Sequence, residues 1–318
     1  VIVVAGEALV DLIVRAQGAI IAVPGGGTYN SARAVGRLGW PVAWMGSLSG
    51  DRFGDALRAG LADAGVGLDL ARRTELPTTL ALAEVGDDGA ARYRFYTDST
   101  SAPALVPDPL VPDLPAATRA VLTGSLGLVL EPMADTLEAL IATRPPDVLL
   151  MVDPNCRPSI TRDADAYRAR MTRILARADI VKLSTEDLAY LVPDESVATA
   201  TGWVQALGPR AVLLTDGPAP VRVLVDGGEH RVPAPAVGVV DTIGAGDTFG
   251  GAFLACLVQG GGTRASAGDV EAVLRAARFA VRASSMVCER AGANPPTLAE
   301  LGGWPATSGQ ERAAGAAR

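Results

Sequence analysis

The chain has 318 residues, 49% of them hydrophobic, and carries a formal net charge of −7 with a single histidine, His230. Enough apolar residues are present to bury a large core, as one large α/β domain with or without a small appendage. The negative balance argues against generic nucleic-acid binding, no run of ~18 apolar residues reads as a membrane span, and one histidine excludes His-based triads and His-rich zinc sites. Cys156, Cys256 and Cys288 lie far apart without metal-ligand spacing, so they read as reduced thiols of a cytoplasmic protein.

Val1 to Val4 is a continuous apolar run, expected to be a buried parallel strand, and no basic leader precedes it. Asp11 follows Gly6-Glu7-Ala8-Leu9-Val10. A carboxylate past a strand's end suits sugar hydroxyls at the open edge of an α/β sheet, although residue type alone allows a solvated loop acid. Leu12–Val14 and Ile20–Val23 predict a small hairpin outside the main sheet. Pro24 to Gly39 reads as a glycine loop feeding a helix. Gly26 and Gly27 offer backbone amides and Asn30 a side-chain amide, a set that clamps vicinal hydroxyls. Asp51 opens a helix that runs to about Gly65 and reads as a helix cap or a ligand.

Thr78–Val85 and Ala91–Tyr96 flank Gly86-Asp87-Asp88-Gly89, a hairpin turn. Arg92 to Tyr96 alternates basic and aromatic residues, with Arg94 on the face expected to reach a substrate. Ser101 to Pro115 is a Pro-rich connector. The buried strand Val148–Val152 ends in Asp153-Pro154-Asn155-Cys156-Arg157-Pro158. Asp153 and Arg157 are candidate phosphate or metal-shell groups there, against the plainer reading of a Pro-rigidified turn.

The densest signal is Asp241-Thr242-Ile243-Gly244-Ala245-Gly246-Asp247-Thr248-Phe249, entered by the apolar pair Val239-Val240. It predicts a strand, a glycine loop and a helix whose N-terminal amides bind an anion, with Asp247 beside them to take a proton from an attacking hydroxyl. A Walker A loop needs Lys after the last Gly, and the chain's one lysine is Lys182. A dinucleotide fingerprint needs a third Gly where Phe249 stands.

This phrase resembles the C-terminal signature of the ribokinase-like (PfkB) carbohydrate kinases, and the Gly26-Gly27/Asn30 segment resembles their N-terminal, sugar-binding signature. Asp-Pro-Asn-x-Arg-Pro at 153–158 is similar to the fructokinase and 2-keto-3-deoxygluconate kinase branch. The resemblance runs over about residues 1 to 300. It implies a three-layer α/β/α sandwich with a mostly parallel central sheet and a small β-sheet lid. The main domain is expected at 1–11, 24–77 and 99–302, the lid at 12–23 and 78–98, and a peripheral tail at 303–318.

The resemblance further implies ATP-dependent phosphorylation of a sugar hydroxyl, with Mg²⁺ and K⁺. Asp247 is the expected base, with the Gly244, Ala245 and Gly246 amides as the anion hole. Asp11, Gly26, Gly27, Asn30, Arg94 and Arg157 are expected to bind the sugar. Ser184, Thr215, Asp216, Gly217 and Gly246 are expected to bind the nucleotide. Ser184 and Asp187 stand where the family usually has Asn and Glu, with Asp187 meeting Mg²⁺ through water; Asp241 and the Ile243 carbonyl match the monovalent-cation site. A lid of this kind often mediates dimerisation, so a homodimer is expected. A ketose is the expected substrate. A 2-keto-3-deoxygluconate kinase, a nucleoside kinase and a weakly active sugar-binding regulator are the alternatives. At a helix N-terminus Asp247 is expected to be a weak base, because the helix favours its charged form.

Overall fold

The computed structural model describes residues 1–14, 19–85, 91–106 and 114–307. In chain order the strands and helices are β1 (Ile2–Ala5), β2 (Leu9–Val14), β3 (Ile20–Gly25), α1 (Gly27–Arg37), β4 (Val42–Ser49), α2 (Arg52–Asp63), β5 (Ala71–Thr74), β6 (Leu80–Val85) and β7 (Ala91–Tyr96). Then come β8 (Ala120–Gly124), α3 (Met133–Thr143), β9 (Leu149–Asp153), α4 (Ala164–Leu175), β10 (Ile180–Ser184), α5 (Thr185–Leu191), α6 (Val197–Ala206) and β11 (Ala211–Thr215). The last are β12 (Val221–Val225), β13 (Gly228–Val232), α7 (Ala245–Gln259) and α8 (Val270–Cys288).

The large sheet runs β13-β12-β11-β10-β9-β8-β1-β4-β5. From β5 to β11 every neighbour is parallel; only the β11–β12 and β12–β13 pairs are antiparallel. Its central strands are apolar on both faces, as parallel strands covered by helices must be. The period of two divides them: Ile2 and Val4 pack into a core with α1, α2, α7 and α8, while Val3 and Ala5 pack into a second core with α3, α4, α5 and α6. The three-layer sandwich follows.

The small sheet runs β3-β2-β6-β7. Its hairpins β2–β3 and β6–β7 are antiparallel, and β2 meets β6 in parallel. The expected turn at 86–89 and part of the 101–115 connector lie outside the described residues.

Asp51 caps α2, accepting from the Gly54 amide at 2.8 Å, and its second oxygen ties down the Thr78 amide at 2.8 Å. These bonds hold its carboxyl down at about 2, overcoming the burial that works the other way. One expected element is missing. Val239 and Val240 form no strand; they are 64% and 66% exposed in an irregular segment, pinned where the Val240 and Asp241 amides donate to the Cys288 carbonyl at 2.7 and 3.2 Å. Apolar character there serves neither core, so the periodicity argument does not apply to it.

Candidate active site

Because β1, β8, β9 and β10 are parallel, their carboxyl ends open onto one edge of the sheet. The loops after β1, β8 and β9 meet there with the N-termini of α1 and α7. Glu7, just past β1, is fully buried. Its carboxylate accepts from the Gly27 amide at 2.7 Å, the Gly127 amide at 3.1 Å and the Thr28 hydroxyl at 3.3 Å. Burial raises its pKa, opposed by those backbone bonds and by Ser125. Glu7 thus fastens the Gly26-Gly27 turn to the loop after β8. Gly26 has φ 113°, and a Cβ there would sit 2.9 Å from the Glu7 carbonyl oxygen, so this turn requires glycine.

Gly244 is the left-handed N-cap of α7, with φ 77°, and a Cβ on it would come within 2.5 Å of Ala293 Cβ. The helix that follows places Asp247 in its first turn. Asn30 on α1 donates from Nδ2 to Asp247 Oδ2 at 2.9 Å, and the Ser31 hydroxyl donates to the Asp247 carbonyl at 3.1 Å. Asn155, beyond β9, brings Nδ2 to within 3.5 Å of the other carboxylate oxygen. Its backbone is left-handed at φ 40°, a conformation Asn tolerates better than most residues.

A cavity of about 500 Å³ joins these groups. Asp11, Gly26, Gly27 and Asn30 line one side, Arg157, Asn155 and Lys182 another, and Gly244, Gly246 and Asp247 close it. Burial pushes Asp247 up to about 6, against its bond from Asn30 and the charges of Lys182 and Arg157. Burial thus opposes the charged form that the helix N-terminus favours. Asp11 also rises to about 6, by burial first and then by the charge of Asp247, with Arg157 opposing.

Not every expected residue converges here. Arg94 is exposed and does not line the cavity; its neighbour Phe95 does. Adjacent residues on a strand point to opposite faces, so when Phe95 faces the site Arg94 faces away. Ser184, Thr215, Asp216 and Gly217 lie at the carboxyl ends of β10 and β11, on the same sheet edge but outside this cavity. Ser184 caps α5 and forms a capping box with Asp187. Asp187 is buried and already accepts from the Cys156 amide at 2.6 Å, the Ser184 amide at 2.8 Å and the Ser184 hydroxyl at 2.9 Å. Asp241 accepts from the Ile243 amide at 3.0 Å and the Gly292 amide at 2.8 Å, tying the glycine loop to the segment that follows α8.

Among the described residues no group of three or more His, Cys, Asp or Glu side chains forms a metal cluster. One donor nevertheless suits a hard cation. Asp153 Oδ1 is buried without a hydrogen-bond partner, and its pKa is raised to about 6 by burial. A divalent ion there would draw most of its shell from phosphate oxygens and water, as Mg²⁺ commonly does.

Glu7, Asn155 and Lys182 line the cavity and were given no site role from the sequence. A glutamate amid the apolar start of the chain and a lysine inside a buried strand were the available signals. A larger cleft of about 1020 Å³ lies alongside and shares Phe95 and Ser159. Its charges are spent on one another, Arg170 on Glu131, Asp135 and Glu138, and Arg162 on Asp98.

A cavity with Asp247, in the first turn of α7, beside the Gly244–Gly246 loop lies at the carboxyl edge of a ribokinase-like sheet, and the class this fold belongs to is the sugar phosphotransferases. The chain belongs to the pfkB family of carbohydrate kinases, whose model matches residues 2–300. The fructokinase of Rhizobium leguminosarum bv. trifolii is 33% identical over 257 residues, covering 79% of this chain and 78% of the relative. Fructokinase-1 of Zea mays is 31% identical over 314 residues, covering 93% and 94%. The crystal structure of Xylella fastidiosa fructokinase with bound ATP superimposes with a TM-score of 0.84 at 28% identity, over 94% of this chain and 96% of that one. Among the described residues no helix is long and apolar enough to cross a membrane.

Proposed function

We propose that this protein transfers the γ-phosphoryl group of ATP to a hydroxyl of a ketose, fructose being the first choice. The observation that carries the reading is Asp247, held on one oxygen by Asn30 and approached on the other by Asn155, in a cavity that also contains Asp11 and the Gly244–Gly246 loop. Asp11, the Gly26-Gly27 amides and Asn30 hold the sugar, and Arg157 stands within reach of it. Asp247 orients the acceptor hydroxyl and takes its proton. The amides of Gly244, Ala245 and Gly246 stabilise charge on the moving phosphoryl, the largest kind of contribution available where transfer is mainly positioning and electrostatics. Ser184, Thr215, Asp216 and Gly217 form the nucleotide side.

Mg²⁺ held through Asp153 and, by way of water, Asp187 would neutralise phosphate charge. Asp241 and the Ile243 carbonyl would hold K⁺ behind the loop. ATP is supported by its presence in the Xylella fructokinase, and fructose by the names of the relatives. A second copy would cover the small sheet, where Ile20 is 63% and Tyr96 48% exposed. Three free cysteines fit a reducing, cytoplasmic setting.

Arg157 in the cavity supports one other acceptor, a 2-keto-3-deoxy sugar acid, whose carboxylate it would pair. An ATP-consumption screen over fructose, 2-keto-3-deoxygluconate, ribose, tagatose 6-phosphate and adenosine separates the readings. Fructose is expected to give the highest kcat/KM. A higher value with the sugar acid selects the second reading, and no turnover on any acceptor selects the sugar-binding regulator.

A further inference from the structure

We propose that Lys182 is a catalytic residue: its ammonium, held by Asp153 beneath the glycine loop, contacts an oxygen of the phosphoryl group as it passes from nucleotide to sugar. The proposal rests on the kinase reading above and adds to it a charge that no sequence signature marked. Lys182 is the only lysine in a chain whose Lys and Arg together number 28. It sits in the buried strand β10 at 4% exposure, where an apolar residue would be expected. Its Nζ donates to Asp153 Oδ2 at 2.8 Å. A Cβ on Gly246 would lie 3.1 Å from Nζ, so the ammonium lies directly against the loop that is to receive the phosphoryl. Both Lys182 and Gly246 line the cavity that holds Asp247.

The plainer reading is an ion pair that merely neutralises a buried carboxylate. Two observations weigh against it. Among the described residues Lys182 donates to Asp153 alone, so two of its three N–H groups have no protein acceptor, and the residue lines the cavity. Asp153 Oδ1 is likewise buried and unpartnered, so the pair is not closed on itself. A buried pair kept for neutrality would use its remaining hydrogen-bonding capacity within the protein.

In the transfer, the bond from the acceptor oxygen to the γ-phosphorus forms as the bond from that phosphorus to the β,γ-bridging oxygen breaks. The acceptor's proton passes to Asp247, and the electron pair of the broken bond leaves on ADP. Lys182 keeps its proton throughout and supplies charge alone. The compact ammonium lies between Asp153 and Gly246 as a point charge.

The test is a cycle of Lys182→Met, Asp153→Asn and the double variant, each checked for native circular dichroism. The acceptor is the best sugar of the screen, so failure of all acceptors with wild type refutes the kinase reading alone. Single-turnover rates report on transfer, and affinity for ADP–aluminium fluoride against plain ADP reports on the phosphoryl site without reference to the sugar. Lys182→Met is expected to lower the rate about 100- to 1,000-fold, the scale of losing one preorganised transition-state contact. It should weaken ADP–aluminium fluoride binding and leave the ADP Kd within about threefold. The decisive comparison is the double variant against Asp153→Asn, in which the carboxylate bonded to Lys182 is gone, so Lys182→Met no longer strands the Asp153 charge. A further loss of about 30-fold or more supports the proposal. Equal rates and equal ADP–aluminium fluoride affinities in those two variants overturn it, because Lys182 would then have served Asp153 only.

Discussion

Acidification tests the electrostatics of the site as a whole. Asp247 and Asp11 are both pushed up to about 6, chiefly by burial, from an ordinary value near 3.8. The sign is fixed by the role: a base must be ionised, so activity is present above the raised pKa and is lost as pH falls through it. At pH 7.5 each group is almost fully ionised. At pH 5 each is about 10% ionised, a tenfold loss per group, whereas an unshifted aspartate would still be mostly charged. With Asp247 alone titrating in the ternary complex, kcat should fall along a limb of slope one, centred near 6. In the free enzyme both carboxyls titrate, so kcat/KM should steepen toward slope two and fall about 100-fold by pH 5. Asp11→Asn removes the repulsion between the two carboxylates, so the limb of kcat/KM should return to slope one and move to lower pH. Asn30→Ala removes the bond that favours ionised Asp247, so its limb should move up. The assay is initial rate against pH in constant-ionic-strength buffers, with circular dichroism confirming the fold at each pH. Rates unchanged between pH 7.5 and 5 in folded protein would refute the raised pKa of Asp247.

Three further outcomes follow from individual contacts. Glu7→Ala strips a buried acceptor from the Gly27 and Gly127 amides. Two unsatisfied amides at about 1–3 kcal/mol each predict a loss of about 2–6 kcal/mol in denaturant unfolding, together with a raised sugar KM. Asn155→Gly keeps the left-handed backbone without strain but deletes the amide near Asp247. A net hydrogen bond of about 1 kcal/mol predicts a fall of about fivefold in kcat with stability preserved, as read by parallel rate and thermal-melt measurements. Asp241→Ala unties the glycine loop from Gly292, and its ratio of rates in K⁺ and Na⁺ buffers should collapse toward one.

How far the sequence spoke depended on how local each feature is. The Gly244–Asp247 turn was legible because a left-handed glycine, a helix N-terminus and an acidic first turn are all contiguous in the chain. The sandwich was legible because parallel strands buried on both faces leave continuous apolar runs such as Leu149–Val152. Asn155 and Lys182 were not, because only the parallel alignment of β9 and β10 carries them under a loop some sixty to ninety residues away. Glu7 was missed for the same reason: its three partners come from α1 and the loop after β8. Arg94 failed on strand parity, which places its neighbour in the cavity instead. Burial of Asp247, a property of the assembled fold, pushes its pKa up and was not legible from the local helix dipole.

Asp247→Asn gives the most direct test of the central claim. The amide keeps the shape of the side chain, so ADP should bind with unchanged affinity by calorimetry. The account predicts single-turnover phosphorylation of the best acceptor at least ~100-fold slower than wild type, the lower end for loss of a general base. Transfer at a near-normal rate by the Asn variant would contradict it.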